Sequence, residues 1–382
     1  MDFGFDDDQE LLRTSTRGFL ERRNPVAQIR TRLEAPEVFV RDVWREGAEL
    51  GWTALLVPEE YGGGSVSAQP LIDLVVIAEE FGRALQPGPL VPTNVVADAL
   101  VRSGSGQQRQ EFLPGIADGS IVAAWCGNSD GTADRAAVGV RARSDGSGYT
   151  CSGTAGYVQD AAVADAMLVA VETDAGLGHL IVAADTPGIS VRPLLGLDLT
   201  RRFAEVRFDE VAVPASSLVG GISGSDAVWE RAFALATVLQ AAQAVGAAEH
   251  LFATTVDYLS ERIQFGRTIA SFQAIKHRLA DLLVCVEAMR AAAHYAALAV
   301  ADDLDDAREA VATAGAYVTE THAMLCGECV QLTGGIGFTW EHDLHLFLRR
   351  ARVDEVLLGD PAWHRERLCA LVADADTQRV ED

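Results

Sequence analysis

Apolar residues fall at two different spacings along the chain, and the spacing changes twice. From Asp6 to about Arg23, Leu11, Leu12, Phe19 and Leu20 recur at helical intervals. The same period predicts helices over 39–50, 71–85, 95–103 and 107–116, with Pro58 and Gly62-Gly63-Gly64 as punctuation. The pattern then shortens into β-rich runs at 121–125, 137–142, 149–152, 167–171, 180–184, 189–193 and 203–211. Turn signals at Ser144-Asp145-Gly146, Thr186-Pro187-Gly188 and Val213-Pro214 separate them, as in a small sandwich or barrel. The loop 220–224 returns the chain to helix. Ala-rich helical patterns cover 226–262, 271–301 and 306–332, and shorter ones 343–352 and 362–373. The order is helical, then β, then helical.

Charge narrows the functions open to such a chain. Its 382 residues are 49% hydrophobic, enough for a large composite core, and carry a formal net charge of -24. That surface repels nucleic acid and anionic membrane, so neither is expected as a partner. It also repels anionic ligands at long range, so any such ligand needs a local basic or helix-N-terminal site. No apolar run reads as long enough to span a bilayer, and the acidic Met1 to Glu10 lacks the order of a signal peptide. A cytoplasmic location follows as the expectation.

Metal and hydrolytic chemistry find little support. Of six cysteines, Cys326 and Cys329 form a C-x-x-C without a second pair at zinc-like spacing, so buried, reduced thiols are expected. His342 and His345 lie three apart with no third ligand in view. Ser129 and Asp130 lack a nucleophile-elbow context. Asp302, Asp303, Asp305 and Asp306 read as a solvated turn. There is no Gly-rich strand-to-helix phosphate loop.

Two segments carry more specific chemistry. Glu261-Arg262-Ile263-Gln264-Phe265-Gly266-Arg267, followed by Phe272-Gln273-Ala274, lies at the corner between two long helices. Arg262 offers a planar fork for a pyrophosphate, Phe265 a face for a flat ring, and Gln273 hydrogen bonds for an ADP moiety. A helix corner with an arginine cap is the bland alternative. Gln331-Leu332-Thr333-Gly334-Gly335-Ile336-Gly337-Phe338 follows a long helix, where glycines also serve simply as caps.

Taken together and in this order, these segments closely resemble the acyl-CoA dehydrogenase family. The resemblance extends over nearly the whole chain. It includes Phe5-Asp6-Asp7-Asp8-Gln9-Glu10-Leu11-Leu12, Gly51-Trp52-Thr53, Val57-Pro58-Glu59-Glu60-Tyr61-Gly62-Gly63-Gly64 and the run from Tyr149 to Gln159. It implies an α+β, mainly α fold. The regions would be an N-terminal helical domain at 1–118, a β-sandwich or barrel at 119–222, and a C-terminal four-helix bundle at 223–382. It implies FAD, an acyl-CoA substrate, an electron-transfer flavoprotein or similar acceptor, and α,β-dehydrogenation. In that reaction a carboxylate takes the α-proton and flavin takes the β-hydride. Arg262, Gln264, Phe265, Gln273, Gln331, Gly334 and Gly335 match the places where one subunit grips its neighbour's FAD. Trp125, Tyr157 and Gln159 fall on the flavin face, where Tyr157 would stack and Gln159 would donate a hydrogen bond.

The chain departs from the family where the base should be. The usual Glu precedes a glycine; Gly359 holds that register and Leu358 takes the Glu position. The other family position, read by register with Gly246, falls near Ala236. Glu230 and Asp360 are the nearest carboxylates in sequence, with a surface helix and a helix cap as their plain readings. Three readings stay open. The chain is a base-lacking subunit, resembling the degenerate partners in actinobacterial α2β2 steroid and lipid enzymes. Alternatively it is a self-sufficient homo-oligomer with a relocated base, or a non-dehydrogenase flavoprotein or scaffold on the same fold.

Overall fold

The computed structural model describes residues 4–35, 38–130, 134–144 and 146–381, with side chains described to residue 373. Asp145 of the expected 144–146 turn, and residues 1–3 of the acidic N-terminus, lie outside the described residues.

Six helices come first: α1 (Asp7–Arg23), α2 (Val26–Arg30), α3 (Arg41–Ala48), α4 (Pro70–Arg83), α5 (Leu90–Ser103) and α6 (Gly106–Ala117). Local chemistry sets their starts. Asp6 and Gln9 form a reciprocal capping box on α1, and Ser105 and Gln108 form another on α6. Helix α4 is buried from Leu71 to Gly82.

The strands are β1 (Ala123–Cys126), β2 (Val140–Ser144), β3 (Gly148–Gln159), β4 (Ala166–Thr173), β5 (Gly176–Ala183), β6 (Ile189–Leu194) and β7 (Phe203–Pro214). They form one connected sheet in the order β1-β4-β2-β3-β7-β6, with β5 paired to β4. A single core draws on Cys126, Ala142, Cys151, Val169, Leu180 and Val206, among others. The twelve-residue β3 is the spine, paired antiparallel with β2 and β7, and its register with β7 breaks between Ala155 and Val158. That bulge shapes the site below.

Helix α7 (Ser225–Glu261) leads to a two-residue hairpin, β8 (Ile263–Gln264) and β9 (Arg267–Thr268). Helices α8 (Gln273–Ala301), α9 (Ala307–Thr333), α10 (Leu344–Asp354) and α11 (Pro361–Glu381) follow. α7 crosses α4 so closely that backbones touch. A Cβ on Gly82 would stand 1.8 Å from the Gln243 carbonyl oxygen, and one on Gly246 would stand 1.9 Å from that of Glu79. Only glycine fits either place.

One expectation needs correction. Residues Ile222–Glu261 and Gln273–Ala301 are long and apolar enough to cross a membrane by length and composition. Their alanine content raises hydropathy without a run of large side chains. In the first, 89% of the apolar window lies inside the protein, as befits a core helix; in the second the share is 44%.

Candidate active site

A cleft opens where the β-domain meets α5, α7 and the turn between α10 and α11. Val91 and Pro92 of α5, Trp125 of β1, and Tyr157 and Gln159 of β3 form one side. Arg201, Phe203, Ala236, Gln240, Leu357 and Leu358 complete the lining. Trp125, Tyr157, Gln159, Ala236 and Leu358, far apart in sequence and singled out there, therefore share one cavity.

The β3 bulge presents the flat group. Tyr157 takes a left-handed backbone, φ 50°, and its ring stands half exposed at the cleft. Two residues on, the Gln159 amide nitrogen donates to Asp160 Oδ2 at 3.1 Å and more weakly to the Gly88 carbonyl at 3.5 Å. The expected donor of Gln159 is thus engaged away from the cleft. Trp125 Nε1 and Gln240 Oε1 are buried and have no hydrogen-bond partner. A donor and an acceptor left open at one cavity suit a ligand that carries both.

The facing wall is apolar. Ala236 on α7 is almost fully buried. Leu358 is held at φ +61°, followed by Gly359 at φ +97°, as the chain turns between helices. A leucine in that region costs about 1–3 kcal/mol, so the surrounding packing holds it there. Among the described residues, no carboxylate lines the cleft. Glu230 pairs instead with Arg367 at 2.5 Å and Arg308 at 3.6 Å. Asp360 accepts from the Trp363 backbone N–H at 2.7 Å, capping α11.

Beneath the polar side lies a buried charge network that the sequence did not reveal. Arg350 Nε donates to Asp198 Oδ2 at 2.9 Å, and Arg350 also bonds the Thr200 hydroxyl. Arg201 bonds Asp354 and donates to Gln243 Oε1 at 2.6 Å, while Gln240 Nε2 donates to the Asp354 carbonyl at 2.7 Å. Burial pushes the Asp198 carboxyl up, but Arg350 and Arg201 outweigh it and hold it below the usual range. At Asp354 burial wins over the same arginines and the carboxyl is raised. Burial raises Asp160 to about 6 against the opposing pull of Gln159, Arg201, Arg350 and Arg202.

The remaining marked residues lie elsewhere. Phe265 (φ 53°) and Gly266 (φ 77°) form the tip of the β8–β9 hairpin, where two left-handed residues make a tight turn. Phe265 is 91% exposed, and Arg262, Gln264 and Gln273 are exposed around it. Gln331, Gly334 and Gly335 are exposed at the end of α9. None of these eight residues lines the cleft. Cys126, Cys151, Cys326 and Cys329 are buried free thiols, and burial pushes Cys329 up to about 11. His342 lies before α10, with its carbonyl 2.7 Å from His345 Nδ1, and no group of three metal-binding side chains occurs among the described residues.

Comparison with known proteins matches this architecture. Residues 6–120 match the model of the acyl-CoA dehydrogenase N-terminal domain, and residues 223–372 that of the acyl-CoA dehydrogenase C-terminal domain. The acyl-CoA dehydrogenase IpdE2 of Mycolicibacterium smegmatis is 31% identical over 96% of this chain and 99% of its own. A variant of the steroid acyl-CoA dehydrogenase Tcur3481–Tcur3483 superposes with a TM-score of 0.88 at 29% identity, over 97% of this chain and 99% of the other. A chain of the ChsE4–ChsE5 complex from Mycobacterium tuberculosis gives a TM-score of 0.88 at 28% identity, over 98% and 99%. Sequence and fold agree: the chain belongs to the acyl-CoA dehydrogenase family.

Proposed function

We propose that this chain is the base-lacking subunit of a heteromeric, FAD-dependent acyl-CoA dehydrogenase. The observation that carries the reading is the cleft itself. Ala236 and Leu358 stand at both places where the family resemblance puts the base, and no carboxylate among the described residues replaces them. Glu230 and Asp360 are committed to an ion-pair cluster and a helix cap, which weighs against a relocated base.

The residues present fit FAD. Tyr157 offers a ring face, while Trp125 Nε1 and Gln240 Oε1 offer an open donor and acceptor at the same cavity. When bound, FAD supplies the hydride acceptor for the substrate's β-carbon. Val91, Pro92, Phe203, Leu357 and Leu358 would exclude water around an acyl chain, and Ala236 leaves room for a bulky, ring-bearing one. Arg262, Gln264, Phe265, Gln273, Gln331, Gly334 and Gly335 project from the bundle and would hold the FAD of a neighbouring subunit. Leu283 and Val284 on α8 and Met324 on α9 leave an apolar face for that neighbour. The two solved relatives are each named for a pair of proteins, which supports a homologous, base-carrying dehydrogenase as the partner. We read the regions 1–118, 119–222 and 223–382 as the three domains, the cytoplasm as the location, and an electron-transfer flavoprotein or similar carrier as the acceptor.

Co-expression tests the pairing. Flavin content and native mass are measured for the chain alone and with homologous dehydrogenase subunits. The reading expects a mixed oligomer with raised flavin occupancy. A fully flavinated homo-oligomer that ignores every such subunit would overturn it.

A further inference from the structure

The polar wall of the cleft contains a device that the base-lacking reading leaves unused. Gln159 lines the cleft, and Asp160 directly follows it in a left-handed backbone, φ 54°, with its side chain buried. The Asp160 backbone N–H is anchored on the Arg202 carbonyl at 2.8 Å. Its Oδ2 accepts from Gln159 Nε2 at 3.1 Å. The charged groups facing this carboxylate are Arg201 and Arg202, from the segment before β7, and Arg350 of α10. Of these, Arg201 bonds Asp354, Arg350 bonds Asp198, and Arg202 donates to the carbonyls of Leu33, Ala35 and Leu199.

We propose that Asp160 is a positioning residue: its carboxylate holds the Gln159 amide by the nitrogen, so the chain offers the cofactor ring an acceptor oxygen instead of a donor. A primary amide is polar end to end. With Nε2 turned to Asp160 and Gly88, Oε1 is the end left for the cleft. An ionised carboxylate can only accept, so it fixes that sense. A protonated one donates and permits the reverse, and the Asp160 carboxyl, raised to about 6 by burial, crosses between the two within an accessible pH range. The identity of the ring rests on the FAD reading above; the Gln159–Asp160 contact does not. Oxidised flavin has a bare acceptor nitrogen at its central ring, and that nitrogen carries hydrogen once reduced. An acceptor that met that nitrogen would favour the reduced form, so the reduction potential reports whether Gln159 Oε1 and that edge of the ring meet.

The test has two arms. In the ligand-free protein, ¹⁵N-glutamine labelling isolates the side-chain amide of Gln159, identified by its loss in Gln159→Leu. Its resonance is expected to titrate with a midpoint of about 6, and to stop titrating in Asp160→Asn, which keeps the left-handed turn. In the flavin-loaded protein, with its partner subunit if loading needs one, the reduction potential is measured for both single variants and the double. Asp160→Asn is expected to weaken the preference for reduced flavin about tenfold, about 30 mV for a two-electron couple. It is expected to do nothing further when Gln159 is already leucine. An amide that does not titrate, or an Asp160→Asn shift that persists in the Gln159→Leu background, overturns the proposal. A titrating amide in a protein that takes up no flavin overturns the FAD reading, and with it the claim about the reduced form, while the positioning of Gln159 stands.

Discussion

The two walls of the cleft are built in opposite ways. The polar part of the lining, Tyr157, Gln159, Arg201 and Gln240, is backed by a buried lattice of ion pairs and amide hydrogen bonds, with Gln240 one turn from Ala236 on α7. The wall carrying Ala236, Leu357 and Leu358 is apolar, with no ionisable group at its surface. A buried lattice of that kind is costly to assemble and unforgiving to disturb, which suits the place where we propose that the cofactor is held. An apolar wall needs no such pairing, and keeps its shape without taking part in proton transfer. On the proposed reading, binding and chemistry have come apart: the polar lining still serves to orient a cofactor, and the apolar lining has no group to take the α-proton.

Acid challenges both walls at once and gives the largest expected effect. His322 lies by Arg201 and Arg350, His364 packs against Phe233 and Trp363, and His179 packs near Trp229. Burial holds the three near about 3, about 4 and about 4 in that order. In the unfolded chain each titrates near ~6.5. Below that pH the unfolded state takes up protons that the fold refuses, so stability is full above it and falls towards the folded values. At pH 5 the loss is about 2 kcal/mol for each histidine. Asp160 runs the other way. Its folded carboxyl keeps a proton up to about 6, so acid favours the fold there and offsets about 1 kcal/mol at pH 5. Urea unfolding at pH 7 and pH 5 reads the sum, and an unchanged midpoint would contradict it.

Breaking the polar wall alone comes next. Arg350→Met removes the nearest cation from Asp198, leaving it Arg201 at 4.0 Å and the Thr200 hydrogen bonds, and is expected to cost about 3 kcal/mol in thermal or urea unfolding. It should also lower flavin retention, because the segment carrying Arg201 loses its anchor. Repairing the apolar wall is the complementary change. Leu358→Glu sets a carboxylate where the family resemblance puts the base and, on the proposed reading, is expected to raise the rate of flavin reduction by acyl-CoA by about 10²–10⁴-fold. No gain in a variant that still binds FAD would mean the wall lacks more than a base. The smallest effect belongs to the cap. Asp360→Ala should cost about 1 kcal/mol of stability and leave flavin reduction unchanged, because this carboxylate serves α11 and not the cleft.

The same contrast explains what can be read from the sequence. Both helical regions are legible because their apolar period is sustained, and Leu358 is placed against Gly359 because that register is local. The swing of Tyr157 is not legible, since it depends on a bulge between Ala155 and Val158 that appears only when β3 meets β7. The β8–β9 hairpin reads as a helix corner because two-residue strands carry no period. The polar lattice is invisible for a different reason. Asp198 and Arg350 are 152 residues apart, and each alone reads as an ordinary surface charge. Gln159 is legible as a cleft residue, but the sense of its hydrogen bond is not, because that sense is set by the buried carboxylate beside it.

Anaerobic mixing of the flavin-loaded chain with straight-chain, branched and steroid acyl-CoAs, followed by flavin absorbance, tests the central claim most directly. The chain alone is expected to bind these thioesters without bleaching at catalytic speed, and bleaching is expected with a base-carrying partner subunit. Rapid bleaching of the chain alone by any of them would show that a working base is present and would contradict the account.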